Sequence, residues 1–266
     1  MTALSADARV VSVLVRRDLL LFIRQRSRIV GALAQPLLLW LAIGAGIAPS
    51  FRLAGNEGIG YMEYFFPGIL VMLLLQNSIS GTMSVIEDRH QGFLQGVLVA
   101  PGSRASVVVG KCVGTSAVSL VQAALFLILA PLAGFPYGQI AWLSLFVALA
   151  LTSLALGAMG FAIAWWLDST TGYHVVMSLV LFPLWILSGA VFPPSGLNPV
   201  LGGIVAWNPM TYAVSWTRRA MHGGTLPSGT GVGVDGMWVE VAVVAGSAVV
   251  LIALAAWACN RKPPAA

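Results

Sequence analysis

Apolar residues gather into long runs separated by short polar intervals. Six runs, at 30–48, 65–86, 105–132, 140–167, 175–191 and 237–259, approach or exceed the roughly 20 residues that a membrane-spanning helix needs. The third and fourth are long, which predicts tilt or extension beyond the membrane. No interval between them has room for a soluble domain. The pattern therefore predicts an all-α membrane protein of six transmembrane helices over residues 29–262.

Residues 1–28 carry a different pattern. On a helical wheel Leu4, Val11, Val15 and Phe22 share one side, and Arg9, Arg16, Arg17 and Arg24 share the other, with Val13 and Leu20 interrupting it. The expectation is an amphipathic helix in the cytoplasmic interface, apolar side in lipid and arginines at anionic headgroups. A basic topology signal with no fixed helix is the alternative. A cleavable signal is disfavoured, because the basic region runs through Arg28 into a run of span length.

Between the fifth and sixth runs, residues 192–212 are apolar but broken by Pro193, Pro194, Pro199 and Pro209. Proline lacks the backbone donor that a helix interior requires, and the pieces between the breaks are too short to span. Such backbone stays at membrane depth only when packed in protein or lining a cavity. A re-entrant hairpin from the outer side is expected, with an outer loop resting on the headgroups as the alternative. The glycine-rich stretch 223–236 reads as a flexible outer connection.

Composition sharpens the class. Of 266 residues only 9% are charged and 58% are hydrophobic, against about 25% charged in soluble domains. The mean hydropathy is +0.90. If both termini are cytoplasmic, eleven of the 14 Lys and Arg lie inside, and only Arg52, Arg218 and Arg219 lie outside. The net charge of +5 thus reports topology rather than a nucleic-acid footprint. The expected orientation places both termini and the charged interval around residues 87–111 on the cytoplasmic side.

One inner interval stands out. Glu87, Asp88, Arg89, His90, Arg104 and Lys111 cluster around a Pro101-Gly102 turn. Gly110-Lys111 resembles a phosphate loop at two positions only, with alanine at the first glycine and Cys112 at the metal-binding hydroxyl, so the phosphate-loop reading is rejected. Lys111 is expected to snorkel at the headgroups. Glu87-Asp88 is adjacent on a helix and diverges, so it reads as a solvated helix end rather than an acid–base pair. His90, His174 and His222 are scattered, and neither catalytic nor metal-binding candidates emerge. Span interiors carry essentially no ionisable group; Glu240, Lys111 and Asp168 sit near ends. That argues against a proton-coupled carrier. Cys112 and Cys259 form no metal or redox motif. Gly110-x-x-x-Gly114 and Gly157-x-x-Gly160 permit close helix approach, most simply within the chain. Trp40, Trp142, Trp165, Trp166, Trp185 and Trp207 suit an interfacial belt or a substrate path.

Two segments together resemble the type-2 ABC exporter permeases. The first runs Glu87-Asp88-Arg89-His90-Gln91-Gly92-Phe93-Leu94 to Pro101-Gly102-Ser103-Arg104, followed by Gly110-Lys111. The second runs Leu187-Ser188-Gly189-Ala190-Val191-Phe192-Pro193, then Asn208-Pro209-Met210-Thr211-Tyr212 and Arg218-Arg219. The resemblance covers nearly the whole chain and is nearest to compact drug, nodulation-oligosaccharide and polysaccharide exporters. It implies that residues 87–104 form a coupling segment docking on a separate ATP-binding subunit, with Glu87, Arg89, Gly92, Pro101, Ser103 and Arg104 carried over. The resemblance also implies a second inner contact at the Asp168 to His174 connection, and an outer gate that includes Pro193, Pro194, Asn208 and Pro209. It further implies a second permease copy or paralogue, an amphiphilic or hydrophobic cargo, and ATP and Mg held by the partner with no cofactor in this chain. Where the family often has a second acidic residue after the first glutamate, this chain has Arg89-His90-Gln91. A non-transport scaffold or sensor component is the alternative.

Overall fold

The structure is a computed structural model that describes residues 3–51, 53, 58–92, 103–194, 197–231 and 236–261. Within them the chain is helical: α1 (Ala3–Arg24), α2 (Arg26–Ile47), α3 (Tyr61–His90), α4 (Arg104–Leu127), α5 (Trp142–Trp166), α6 (Thr170–Trp185), α7 (Pro199–Trp207), α8 (Pro209–Met221) and α9 (Met237–Arg261). Six stretches are long and apolar enough to cross a membrane: Ile29–Ile47, Tyr61–His90, Arg104–Leu127, Trp142–Trp166, Thr170–Ala190 and Met237–Asn260. Each overlaps one of the six apolar runs. The long third run divides, because α4 ends at Leu127 and a 3₁₀ turn, Ala130–Ala133, follows before Gly134 at φ 99°.

Side-chain caps set several boundaries. Ser103 begins α4 by accepting the Ser106 amide, and Ser169 begins α6 by accepting that of Gly172. Asn198-Pro199 and Asn208-Pro209 open α7 and α8 in the same way. Asparagine caps the free N–H groups, and proline at the first helical position lacks the donor that would be unpaired there. Two of the four prolines expected to break the hairpin therefore start helices.

α3 lies at the centre, against α2, α4, α5, α6 and α8. Aromatic rings fill the space around it. Trp40 meets Phe66 edge-on at 5.4 Å, and Phe66 stacks on Phe126 at 5.1 Å. Trp40, Trp165 and Trp185 are buried whereas Trp142, Trp166 and Trp207 are exposed, so only the second trio has room to anchor in an interface. α2 and α9 flank the bundle and are mostly open to their surroundings.

α1 differs from its expected orientation. It packs along α4, where Gly110 and Gly114 leave room for it; a Cβ at Gly110 would lie 2.8 Å from Leu14 Cδ1 and 3.2 Å from Val11 Cα. Leu14 and Phe22 are buried, while Val13, Leu20, Leu21 and Ile23 are exposed alongside Arg9, Arg16 and Arg24. The side assigned to lipid thus faces protein. The apolar interruptions of the basic side are the ones left open.

Candidate coupling site

Polar residues of α1, α4 and α5 converge on the C-terminal end of α3. Arg17 of α1 donates from both Nη atoms to the Asp88 carboxylate, one bond at 3.1 Å. Lys111 of α4 places Nζ 3.3 Å from Asp88 Oδ2 and 3.3 Å from Asp18 Oδ1, and donates to Ser84 Oγ at 2.9 Å. Two acids and two bases alternate, so the cluster is neutral. Asp88 and Lys111 are almost wholly enclosed, at 4% and 2% side-chain exposure. Burial pushes the Asp18 carboxyl upward, with Lys111 opposing it. Unpaired, such buried charges would each incur several kcal/mol of desolvation; pairing offsets that.

Arg89, the next residue, turns to the end of α5. It donates to Trp165 O at 2.9 Å, Leu167 O at 3.3 Å and Asp168 Oδ1 at 2.7 Å, with its guanidinium 5.4 Å from the Trp165 ring centroid. The last carbonyls of a helix lack intrahelical donors and carry partial negative charge, which a guanidinium satisfies. Adjacent residues on α3 therefore hold different helices, Asp88 those of α1 and α4 and Arg89 the end of α5.

The residues expected to meet a partner separate into two groups. Glu87 is exposed in the last turn of α3, and Gly92 makes the turn beyond it at φ 73°. Ser103 caps α4, and its amide donates to Asp7 Oδ1 at 2.6 Å; this bond holds the Asp7 carboxyl below its ordinary range. Exposed Arg104 donates to Cys259 O of α9 at 3.2 Å. Arg89, by contrast, is buried, and both of its Nη atoms are engaged within the chain. Pro101, with the rest of 93–102, lies outside the described residues.

Three expectations change here. Lys111 does not snorkel but is buried among Asp18, Asp88 and Ser84. Only Glu87 of the Glu87-Asp88 pair is solvated. The ionisable residues do sit near span ends, as read, yet Asp88, Arg89, Lys111 and Glu240 are buried in protein. Acid–base neighbours such as Arg17-Asp18 and Asp88-Arg89 in so apolar a chain were the available signal.

The opposite end holds a second polar assembly. α6 passes into a π turn, Ile186–Ala190, in which Gly189 takes φ 73°. Its carbonyl accepts from Tyr64 Oη at 2.6 Å and from Arg218 Nη2 at 3.0 Å. The Arg218 guanidinium lies 4.3 Å from the Tyr64 ring centroid, and its side chain is buried. Arg219 makes a bidentate pair with Glu240 at 2.8 and 3.0 Å, and Ser215 donates to the same carboxylate at 2.6 Å. Arg218 and Arg219, counted on the outer side, are structural members of α8. Asn208 is buried; it caps α8 and donates to Leu184 O at 2.6 Å. Pro194 packs beside Gly189, and Pro193 joins it in the link to α7. The stretch expected to form the hairpin, 192–212, follows the Gly189 break and holds α7 and the start of α8, and the largely buried α8 runs on to Met221.

The family model for the ABC-2 type transporter matches residues 9–222, from within α1 through the Gly189 break to the end of α8. The chain belongs to this family. Among relatives, a Cyanophora paradoxa protein named as a transport permease, ycf38, is 29% identical over 77% of this chain and 72% of its own length. Nodulation protein J of Rhizobium leguminosarum bv. viciae is 25% identical over 74% and 76%. Inner membrane transport permease YadH of Escherichia coli K12 is 25% identical over 65% and 67%. This ABC-2 chain is accordingly the membrane subunit of an ABC transporter, a multi-pass protein of six apolar helices.

Proposed function

We propose that this permease exports an amphiphilic or hydrophobic substrate from the cytoplasm, driven by ATP hydrolysed on a separate subunit that docks at residues 87–104. The observation carrying this reading is the joint behind Glu87. A push delivered there meets α3 where Asp88 is ion-paired to α1 and α4 and Arg89 to the end of α5. Displacement of that segment would be shared by four helices rather than dissipated in a loop. Nucleotide shifts the equilibrium only through its different affinity for the two states. In this reading residues 87–104 face the cytoplasm with both termini, and the Gly189 to Asn208 region is the outer gate. A second permease copy or paralogue completes the path, and ATP and Mg belong to the partner.

Glu87 is exposed with no ion pair among the described residues, so Glu87→Ala should leave insertion and abundance unchanged. The expected result is that the ATP-binding subunit still co-purifies and hydrolyses ATP while export falls at least tenfold. Wild-type export by this variant at normal abundance would remove the coupling role. Absence of any co-purifying ATPase would remove the partner as well.

A further inference from the structure

The bundle contains an uncharged polar cavity at span depth that the coupling machinery does not use. About 300 Å³ in volume and open on one side, it is lined by Gln35 on α2, Gln76, Asn77 and Ser80 on α3, and Gln122 on α4, together with Gly31, Ala32 and Pro36. This volume falls at the lower bound of small-molecule pockets. Four carboxamides in one wall are unusual in membrane spans, where polar groups without partners are expensive.

Gln122 is the deciding residue. It is 2% exposed, yet its side chain has no hydrogen-bond partner among the described residues. Asn77 spends its amide protons on Thr115 O at 3.1 Å and Ser119 Oγ at 2.6 Å. Beyond Asn77 a smaller cavity of about 50 Å³ reaches Arg17 and Asp18, and Thr115 on its wall also has a buried, unpartnered hydroxyl. Open donors and acceptors thus face the space between α2, α3 and α4.

We infer that this cavity binds the neutral, hydroxyl- or amide-bearing head of an amphiphile. A carboxamide offers both donor and acceptor, matching hydroxyl and amide groups that do the same. No ionisable side chain lines the larger cavity, so a phosphate or ammonium head would enter without a counter-charge and at high desolvation cost. Gln35 is exposed on the loosely packed α2, which gives the apolar part of the same molecule a way in from the side.

The inference deepens the transport reading by naming a substrate class, but its test requires no ATP turnover. The complex in lipid nanodiscs is photolabelled with octyl β-D-glucoside carrying a diazirine on its chain, below the micelle concentration. Label is expected on peptides containing residues 31–36 and 76–80. Unlabelled octyl glucoside should compete and octyltrimethylammonium should not. Gln122→Leu should weaken apparent affinity about tenfold, the effect of one to two lost hydrogen bonds, while Gln122→Asn retains more of it. Because Gln122→Leu replaces an unpartnered amide, its melting temperature should not fall. Ser80→Ala provides a second, milder variant. Labelling indifferent to Gln122→Leu, or equal competition by the cationic head, overturns the site. Dissociation of the permease into single copies by Gln122→Leu also overturns it, assigning the amides to a contact between copies. A co-purifying, permease-dependent ATPase alongside failed labelling would remove the cavity proposal alone.

Discussion

Lys111 shows how much a single side chain carries here. Its ammonium group faces two carboxylates from different helices, Asp18 and Asp88, inside a closed cluster. Removing one member of a buried ion pair typically costs about 3–5 kcal/mol, since the partner's charge is left desolvated. Lys111→Met should therefore destabilise the protein strongly, with sharply reduced abundance in the membrane. Lys111→Met combined with Asp18→Asn should recover much of the loss, because the remaining Asp88 still has Arg17. Melting curves of the single and double variants measure this; equal destabilisation in both would show that the pairing contributes nothing. Sequence suggested a snorkelling lysine because Asp18 is 93 residues away along the chain. Local pattern reports that a lysine lies near a helix end, and only the packing of α1 against α4 tells which way it points.

At the scale of elements, the spans were legible because lipid demands long apolar runs, and such runs are visible directly. The breaks were less so. The fifth run was expected to end at Val191 and the span ends at Ala190, but its last turn widens at Gly189, where Tyr64 and Arg218 draw on a carbonyl released from the helix. That demand comes from α3 and α8, so no local signal announces it. The orientation of α1 was misread for a similar reason. Its wheel gives the two sides but not the neighbour, and Gly110 and Gly114 supply that neighbour. Gly110→Ala should push α1 away from α4, costing about 1–3 kcal/mol as overpacking does, because Val11 backbone cannot yield as a flexible side-chain tip would. Gly46→Ala is the control, as nothing lies within 4 Å of the Cβ it would add. Hydrogen exchange should quicken in Ala3–Arg24 for the first variant only; unchanged protection there would mean that α1 is not held by this contact.

The whole molecule is an apolar bundle with a polar assembly at each end, and α3 belongs to both, through Asp88 and Arg89 at one end and Tyr64 at the other. The Tyr64 end has a titratable member at the end of α8. His222 packs edge-on against Phe135 at 5.0 Å, with Glu63 3.8 Å from Nδ1. Burial, helped by the nearby Arg218 guanidinium, pushes the imidazole down to about 4. In the unfolded chain the same group titrates near 6.5. Between those values the unfolded state takes up a proton and the folded state does not. Stability contributed by neutral His222 is therefore complete above about pH 6.5, declines as pH falls by up to about 1.4 kcal/mol per unit, and levels off near pH 4. The comparison must isolate this residue. Melting temperatures of wild type and His222→Gln from pH 7.5 to 4.5 in the same nanodiscs do so. The wild type should lose stability more steeply than the variant as pH falls from 6.5. A difference between the two that stays constant with pH would place the proton-linked loss elsewhere.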